Sequence, residues 1–135
     1  MTKTSKFNTR SVKLYLALLI LSTALILYGT LFPANYSVPE RILNLDKLVH
    51  VIMFGTWTFF YGLVRLLKHD FKPFPVFLVG AFFGLIVEIL QHILPTGRSL
   101  EFMDFIADLG GTGIAVLILY ILSQRMSNLD PNKTS

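Results

Sequence analysis

Ionisable and amide side chains recur in three otherwise apolar segments of this 135-residue sequence. They form three groups with helical spacing, Asp46-Lys47-x-x-His50, Glu88-x-x-Gln91 and Asp104-x-x-x-Asp108. Carboxylates and an imidazole can transfer protons or ligate a divalent cation, and Arg98 adds a cation that suits phosphate or carboxylate. A charge in the middle of a bilayer costs about 2.5 to 3.5 kcal/mol on insertion scales, so these groups need a reason to be there.

The elements that carry these residues are four apolar segments, at about 12–32, 48–67, 74–94 and 103–122. A helix of about 20 residues crosses a hydrocarbon core of about 30 Å. A composition of 53% hydrophobic and 15% charged residues is also typical of a membrane protein. We therefore predict an all-α polytopic bundle of four transmembrane helices, with polar tails at 1–11 and 123–135. Asn44 is expected to cap the start of the second helix.

Lys and Arg residues are concentrated on one side of this predicted bundle. The N-terminal tail, the second connection and the C-terminal tail contain nine of the 12: Lys3, Lys6, Arg10, Lys13, Arg65, Lys68, Lys72, Arg125 and Lys133. The other three, Arg41, Lys47 and Arg98, lie in or next to the first and third connections. Basic loops tend to stay in the cytoplasm. Both termini are therefore predicted to be cytoplasmic, in a multi-pass protein of the bacterial cytoplasmic (inner) membrane.

With this orientation, three helices bring polar groups to the same depth. His50, Glu88 and Asp108 should each lie about 10 Å or less from the outer end of a helix. Small residues that allow close helix packing accompany them, at Gly80, Gly84, Gly110 and Gly111, and Gly80-x-x-x-Gly84 could also support an oligomer. The sequence thus predicts a polar cleft open to the outer leaflet. Its candidate ligand-binding residues are Asp46, Lys47, His50, Glu88, Gln91, Arg98, Asp104 and Asp108.

Most of these residues also have a structural interpretation. His50 could pair within the bundle, Asp46 and Lys47 could complement a helix dipole, and Arg98 could neutralise a nearby carboxylate. Glu88 and Asp108 lie two turns inside their segments and are harder to explain without a function.

Several other classes of function are disfavoured. The sequence has no cysteine, which excludes disulfides and thiolate chemistry, and it has no glycine-rich phosphate loop or nucleophile elbow. Its basic residues are scattered, so no nucleic-acid partner is predicted. No cofactor is evident, although a divalent cation held by His50, Glu88 and Asp108 stays open.

The motifs Asp46-Lys47-x-x-His50, Glu88-x-x-Gln91 and Arg98, followed by Asp104 and Asp108-x-Gly110, occur in an order and spacing that resemble the VanZ-like family of membrane proteins. The resemblance covers about Leu45 to Gly113. It departs from the family pattern at Asp108, where relatives more often have Asn. The resemblance implies a cell-envelope role, because the founding member confers low-level resistance to teicoplanin. That antibiotic bears a lipid and acts on cell-wall precursors outside the cytoplasmic membrane.

Three hypotheses follow, and the first is preferred. The protein binds or influences a lipid-linked or cell-envelope component at the outer face, with Lys47 and Arg98 contacting phosphate or carboxylate. Alternatively, it is a membrane-embedded enzyme that modifies an envelope lipid, with Glu88 or Asp108 as general base and His50 as partner. In the third hypothesis it is a small ion- or proton-coupled transporter. The lipid bilayer is a partner in all three.

Overall fold

The computed structural model describes residues 9–31, 40–94 and 101–128, with side chains left undescribed at 40–44. Within these ranges the chain forms four helices and no strand: α1 (Thr9–Leu31), α2 (Glu40–Leu67), α3 (Pro73–Ile93) and α4 (Phe102–Asn128). Each helix is long and apolar enough to cross a membrane. The prediction of an all-α bundle of four transmembrane helices is confirmed.

Two helices extend further than the apolar segments that predicted them. α2 begins at Glu40 rather than Leu48, so Asn44 lies inside the helix and the expected cap at Asn44 is wrong. α4 continues past Leu122 to Asn128. Hydropathy marks the part of a helix that lies in hydrocarbon, whereas backbone hydrogen bonds continue along the chain into polar flanking sequence.

The short turn between α2 and α3 has clear causes in the sequence. His69 adopts a left-handed backbone conformation (φ 57°), which ends the helical path after Leu67. The Arg65 side chain pairs with Asp70 across the turn. Pro73 then starts α3, at a position where a helix does not need the missing N–H. The turn brings α3 back antiparallel to α2.

Close approach of α2 to α4 organises the bundle, and these two helices share its most extensive contact. A Cβ atom on Gly111 of α4 would overlap the carbonyl oxygen of Val51 in α2 and would lie 2.9 Å from the backbone nitrogen of Gly55. α3 packs against both helices at Gly80, where a Cβ would lie 2.6 Å from Thr58 Oγ1 and 2.7 Å from Thr112 Cγ2. The backbones of α2 and α4 therefore touch at Gly111, and the backbone of α3 touches threonine side chains at Gly80.

The contacts that attach α1 to the bundle include a buried cluster and two hydrogen bonds. Ile26 packs with Phe54, Trp57 and Val87. Trp57 Nε1 donates to Thr23 Oγ1 at 2.8 Å. Gln91 Nε2 donates to the Thr30 carbonyl at 3.0 Å. Large apolar side chains on the outer faces of the helices, such as Leu25, remain exposed for the bilayer to cover.

Candidate functional site

Most of the predicted polar residues meet at one end of the bundle, where α1 and α3 end and α2 and α4 begin. We refer to it as the polar end. Seven of the eight candidates lie within the described residues, and six of them form one cluster between α2, α3 and α4: Asp46, Lys47, His50, Glu88, Asp104 and Asp108. Arg98 lies in 95–100, outside the described residues.

The innermost part of the cluster is a triad of His50, Glu88 and Asp108, one residue from each of α2, α3 and α4. His50 Nδ1 donates to Asp108 Oδ1 at 2.8 Å, and the same nitrogen lies 3.9 Å from Glu88 Oε1. The relative exposures of these residues are 1%, 1% and 0%, respectively. We call these three residues the buried triad.

The buried triad leaves hydrogen-bonding capacity unused. Among the described residues, neither carboxylate oxygen of Glu88 has a hydrogen-bond partner, and Asp108 Oδ2 has none either. A buried polar group without a partner costs about 1 to 3 kcal/mol, and more when it is charged. The triad therefore lowers the stability of the bundle, as is common for groups kept for function rather than folding.

Glycine and aromatic residues shape the space around the triad. A Cβ on Gly84, one turn before Glu88, would lie 3.1 Å from both Cβ and Oδ2 of Asp108, so glycine makes room for that carboxylate. The His50 ring stacks on Phe54, with centroids 6.1 Å apart, and Phe54 contacts Phe83 with centroids 5.6 Å apart. Aromatic rings therefore border His50 on the side toward the middle of the bundle.

A second group of charges lies nearer the end of the bundle. Lys47 Nζ is 3.8 Å from Glu101 Oε2 and 3.9 Å from Asp104 Oδ1, and 35% of its side chain is exposed. These distances are longer than the roughly 2.7 to 2.9 Å of a tight charged hydrogen bond. Glu101 was not among the predicted residues, although its position one turn before Asp104 could have indicated it.

Gln91 serves a different contact from the other candidates. Its hydrogen bond to the Thr30 carbonyl satisfies an acceptor in the last turn of α1, where helical carbonyls have no partner in their own helix. The structure thus places Gln91 between α3 and α1.

The four glycines that the sequence predicts for helix packing fall into two groups. Gly80, Gly84 and Gly111 lie at close contacts between helices. Gly110 lies on the exposed face of α4, and a Cβ there would meet no atom within 4 Å. Within the described part of the chain, Gly110 lies outside the contacts between helices.

The buried triad is enclosed, which differs from the open cleft that the sequence predicts. Spacing along each helix indicates depth and face, but the sequence alone does not reveal that His50, Glu88 and Asp108 are each exposed by 1% or less. An apolar groove of about 340 Å³ opens between α2 and α4, on a stretch that starts one residue after His50 and one turn beyond Asp108. Its lining includes Val51, Phe59, Gly111 and Ile118.

Two sets of three side chains have ligand atoms within 4.8 Å of one another, a spacing compatible with a shared cation. One is the buried triad, and the other is Asp46, His50 and Asp104. Both sets contain an imidazole and two carboxylates, which suit divalent transition metals. His50 belongs to both sets.

No curated protein and no solved structure matches this chain. The sequence model of one family, VanZ/LLP1, matches residues 2–123. The match includes α1, which contributed no motif, as well as the helices that build the polar end. Because most of the chain is matched, the resemblance suggested by the polar motifs is confirmed: this multi-pass membrane protein belongs to the VanZ/LLP1 family.

Proposed function

We propose that the protein binds or influences a lipid-linked or cell-envelope component at the outer face of the cytoplasmic membrane. The observation that carries this proposal is the apolar groove between α2 and α4, whose lining starts at Val51, directly after His50 of the polar end. A ligand with a polar head and a hydrocarbon chain would place its head at the polar end and its chain in the groove. A ligand without a hydrocarbon chain would leave the apolar groove unoccupied.

The groove is connected to the charged cluster by position along the helices. Val51 directly follows His50, and Gly111 lies one turn beyond Asp108. At 1.5 Å per residue, Gly111 lies about 5 Å along the α4 axis from Asp108. The groove continues from Gly111 for about 10 Å along α4 to Ile118. This length accommodates part of one hydrocarbon chain of a membrane lipid.

Lys47 is the described side chain best placed to contact an anionic head. It is partly exposed, and neither of its carboxylate neighbours is close enough for a tight hydrogen bond. A phosphate or carboxylate that reached its ammonium group would gain a charge-assisted hydrogen bond.

The outward orientation is tested by labelling single cysteines in this cysteine-free chain. Leu45→Cys places a thiol on an exposed position at the polar end, and Lys68→Cys places one in the exposed turn at the opposite end. In intact cells, a membrane-impermeant maleimide should label only Leu45→Cys. Lys68→Cys should react after permeabilisation. The reverse pattern would place the polar end in the cytoplasm and refute outer-face action.

Lipid binding is tested on the purified protein by native mass spectrometry with a polyprenyl phosphate. Lys47→Gln should weaken binding about 10-fold, the loss expected for one hydrogen bond to a charged group. Thr56→Trp, which fills the groove from its exposed side, should weaken binding of the long-chain lipid but not of a short-chain phosphate.

Lys68→Gln is the matched control, because it removes the same charge at the other end of α2 and should leave lipid binding unchanged. Unchanged or tighter binding by Lys47→Gln would show that the Lys47 ammonium group does not contact the phosphate head. Equal binding by all variants would exclude the polar end and groove as the lipid site.

The hydrogen bond between His50 and Asp108 supports a second candidate function, a membrane-embedded enzyme. A carboxylate that orients an imidazole is the arrangement of a general base. Enzymatic action would appear as a chemically changed envelope lipid whose formation requires His50, while His50→Gln still binds the lipid.

We also propose that the protein contributes to teicoplanin resistance. Membership of the VanZ/LLP1 family supports this role. The chemistry of the antibiotic also supports it, because its lipid chain suits the apolar groove and its polar body suits the polar end.

A further inference from the structure

Among the described side chains, the polar end has more acidic groups than basic ones. The described side chains there include five carboxylates, those of Asp46, Glu88, Glu101, Asp104 and Asp108, and Lys47 is near only two of them. Two of the five belong to the buried triad, where the only described basic group in contact is the His50 imidazole. A cation at the triad would balance the two buried carboxylates.

We propose that His50, Glu88 and Asp108 bind one divalent transition-metal cation, and that Zn²⁺ is the ion that fits best. Zinc binding by the triad can be measured without knowing which lipid the protein binds. It adds a metal site to the polar end and does not require the protein to be an enzyme.

The spacing of the triad is close to that of ligands around one metal. Zn²⁺ lies about 2.0 to 2.2 Å from nitrogen and oxygen ligands, so two ligands in a tetrahedron are about 3.4 Å apart. His50 Nδ1 is 3.9 Å from Glu88 Oε1 and 2.8 Å from Asp108 Oδ1. Side-chain shifts of about half an ångström would bring both pairs to the tetrahedral distance. The metal would replace the Nδ1 proton that His50 donates to Asp108, and the neutral imidazole would then carry its proton on Nε2. The three residues project from separate helices, so they can surround an ion.

The oxygens without partners are an independent reason to expect a ligand. Glu88 is 1% exposed and both of its oxygens have no hydrogen-bond partner among the described residues, as is also true of Asp108 Oδ2. Buried charges in proteins are normally paired or coordinate a metal. A divalent cation would ligate these oxygens and neutralise two carboxylates with one ion.

The donor set favours Zn²⁺ over Mg²⁺ or Ca²⁺. The hard cations prefer sites made of oxygen ligands, whereas an imidazole suits Zn²⁺ and neighbouring transition metals. Three protein ligands would leave a fourth tetrahedral position for a water or for an oxygen of a bound molecule.

The neighbouring set of Asp46, His50 and Asp104 is the weaker candidate. Asp46 is only half-buried, and Asp104 already has Lys47 at 3.9 Å. The ammonium group would repel a second cation at Asp104. The buried triad has no Lys or Arg side chain in contact among the described residues.

The test is zinc content of the full chain purified in detergent, stripped with a chelator and dialysed against buffered Zn²⁺. Wild type should retain about one zinc per chain by mass spectrometry of the metal. Glu88→Gln and His50→Gln should lose stoichiometric zinc, with affinity reduced more than the roughly 10- to 100-fold typical of losing an outer-shell contact. Asp104→Asn and Glu101→Gln should retain zinc, because neither residue belongs to the triad.

Circular dichroism and gel filtration establish that each variant is folded. Should a variant fail to fold, X-ray absorption of zinc-loaded wild type decides, with one nitrogen and oxygen neighbours at about 2.0 to 2.2 Å expected. Wild type without stoichiometric zinc would overturn the proposal, and so would zinc bound equally by Glu88→Gln. Loss in Asp104→Asn with retention in Glu88→Gln would move the site to the neighbouring set.

Discussion

Gly111→Ala is expected to destabilise the bundle by about 3 kcal/mol or more, at the upper end of the costs of overpacking. The added Cβ would overlap the Val51 carbonyl oxygen and lie 2.9 Å from the Gly55 nitrogen. Both obstacles are backbone atoms, which cannot rotate away as a side chain would. α2 and α4 would have to separate.

Gly110→Ala is a matched control from the adjacent position. Its Cβ would meet nothing within 4 Å, so the change should be neutral or stabilise α4 by up to about 1 kcal/mol through helix propensity. Unfolding in detergent can be followed by the fluorescence of Trp57, the single tryptophan of the chain. Equal unfolding midpoints for the two variants would contradict the close α2–α4 contact.

The same contact sets the geometry of the site. Val51 is the residue after His50, and Gly111 lies one turn beyond Asp108. Separation of α2 from α4 at Gly111 would therefore lengthen the 2.8 Å hydrogen bond between His50 and Asp108. Gly111→Ala should impair ligand or metal binding even in the fraction of protein that remains folded.

The two glycines also show what the sequence could and could not predict. Apolar segments of about 20 residues were sufficient to predict four helices. Gly110 and Gly111 differ by about 100° around α4, and both looked suitable for packing. Only the position of α2 distinguishes them, and that position depends on contacts distant in sequence.

Prediction from the sequence has the same limit at the candidate site. Helical spacing and alternating helix direction placed His50, Glu88 and Asp108 at one depth, and the structure brings these side chains together. The enclosure of the triad and the pairing of Lys47 with Glu101 depend on how side chains fill the space between helices. Outward orientation and the role of Arg98 stay predictions.

Asp108→Ala and Glu88→Gln are expected to change stability in opposite directions when measured with a chelator present. Asp108→Ala removes the acceptor of the buried His50 N–H and leaves a small cavity, which should cost about 3 kcal/mol. Glu88→Gln replaces a buried carboxylate without a hydrogen-bond partner by a neutral amide of the same shape. It should raise stability by about 1 kcal/mol. Glu101→Gln, at an exposed position, should change it by less than about 0.5 kcal/mol.

The sign of the Glu88→Gln effect distinguishes a functional carboxylate from a structural one. A structural carboxylate is held by partners, so its removal lowers the free energy of unfolding, whereas a carboxylate kept for a ligand stabilises the fold only when that ligand is bound. Zn²⁺ at 100 times its dissociation constant should therefore stabilise wild type by about 2.7 kcal/mol and should not stabilise Glu88→Gln. A loss of stability in Glu88→Gln as large as that in Asp108→Ala, with no response of wild type to Zn²⁺, would make the triad a structural element of the bundle.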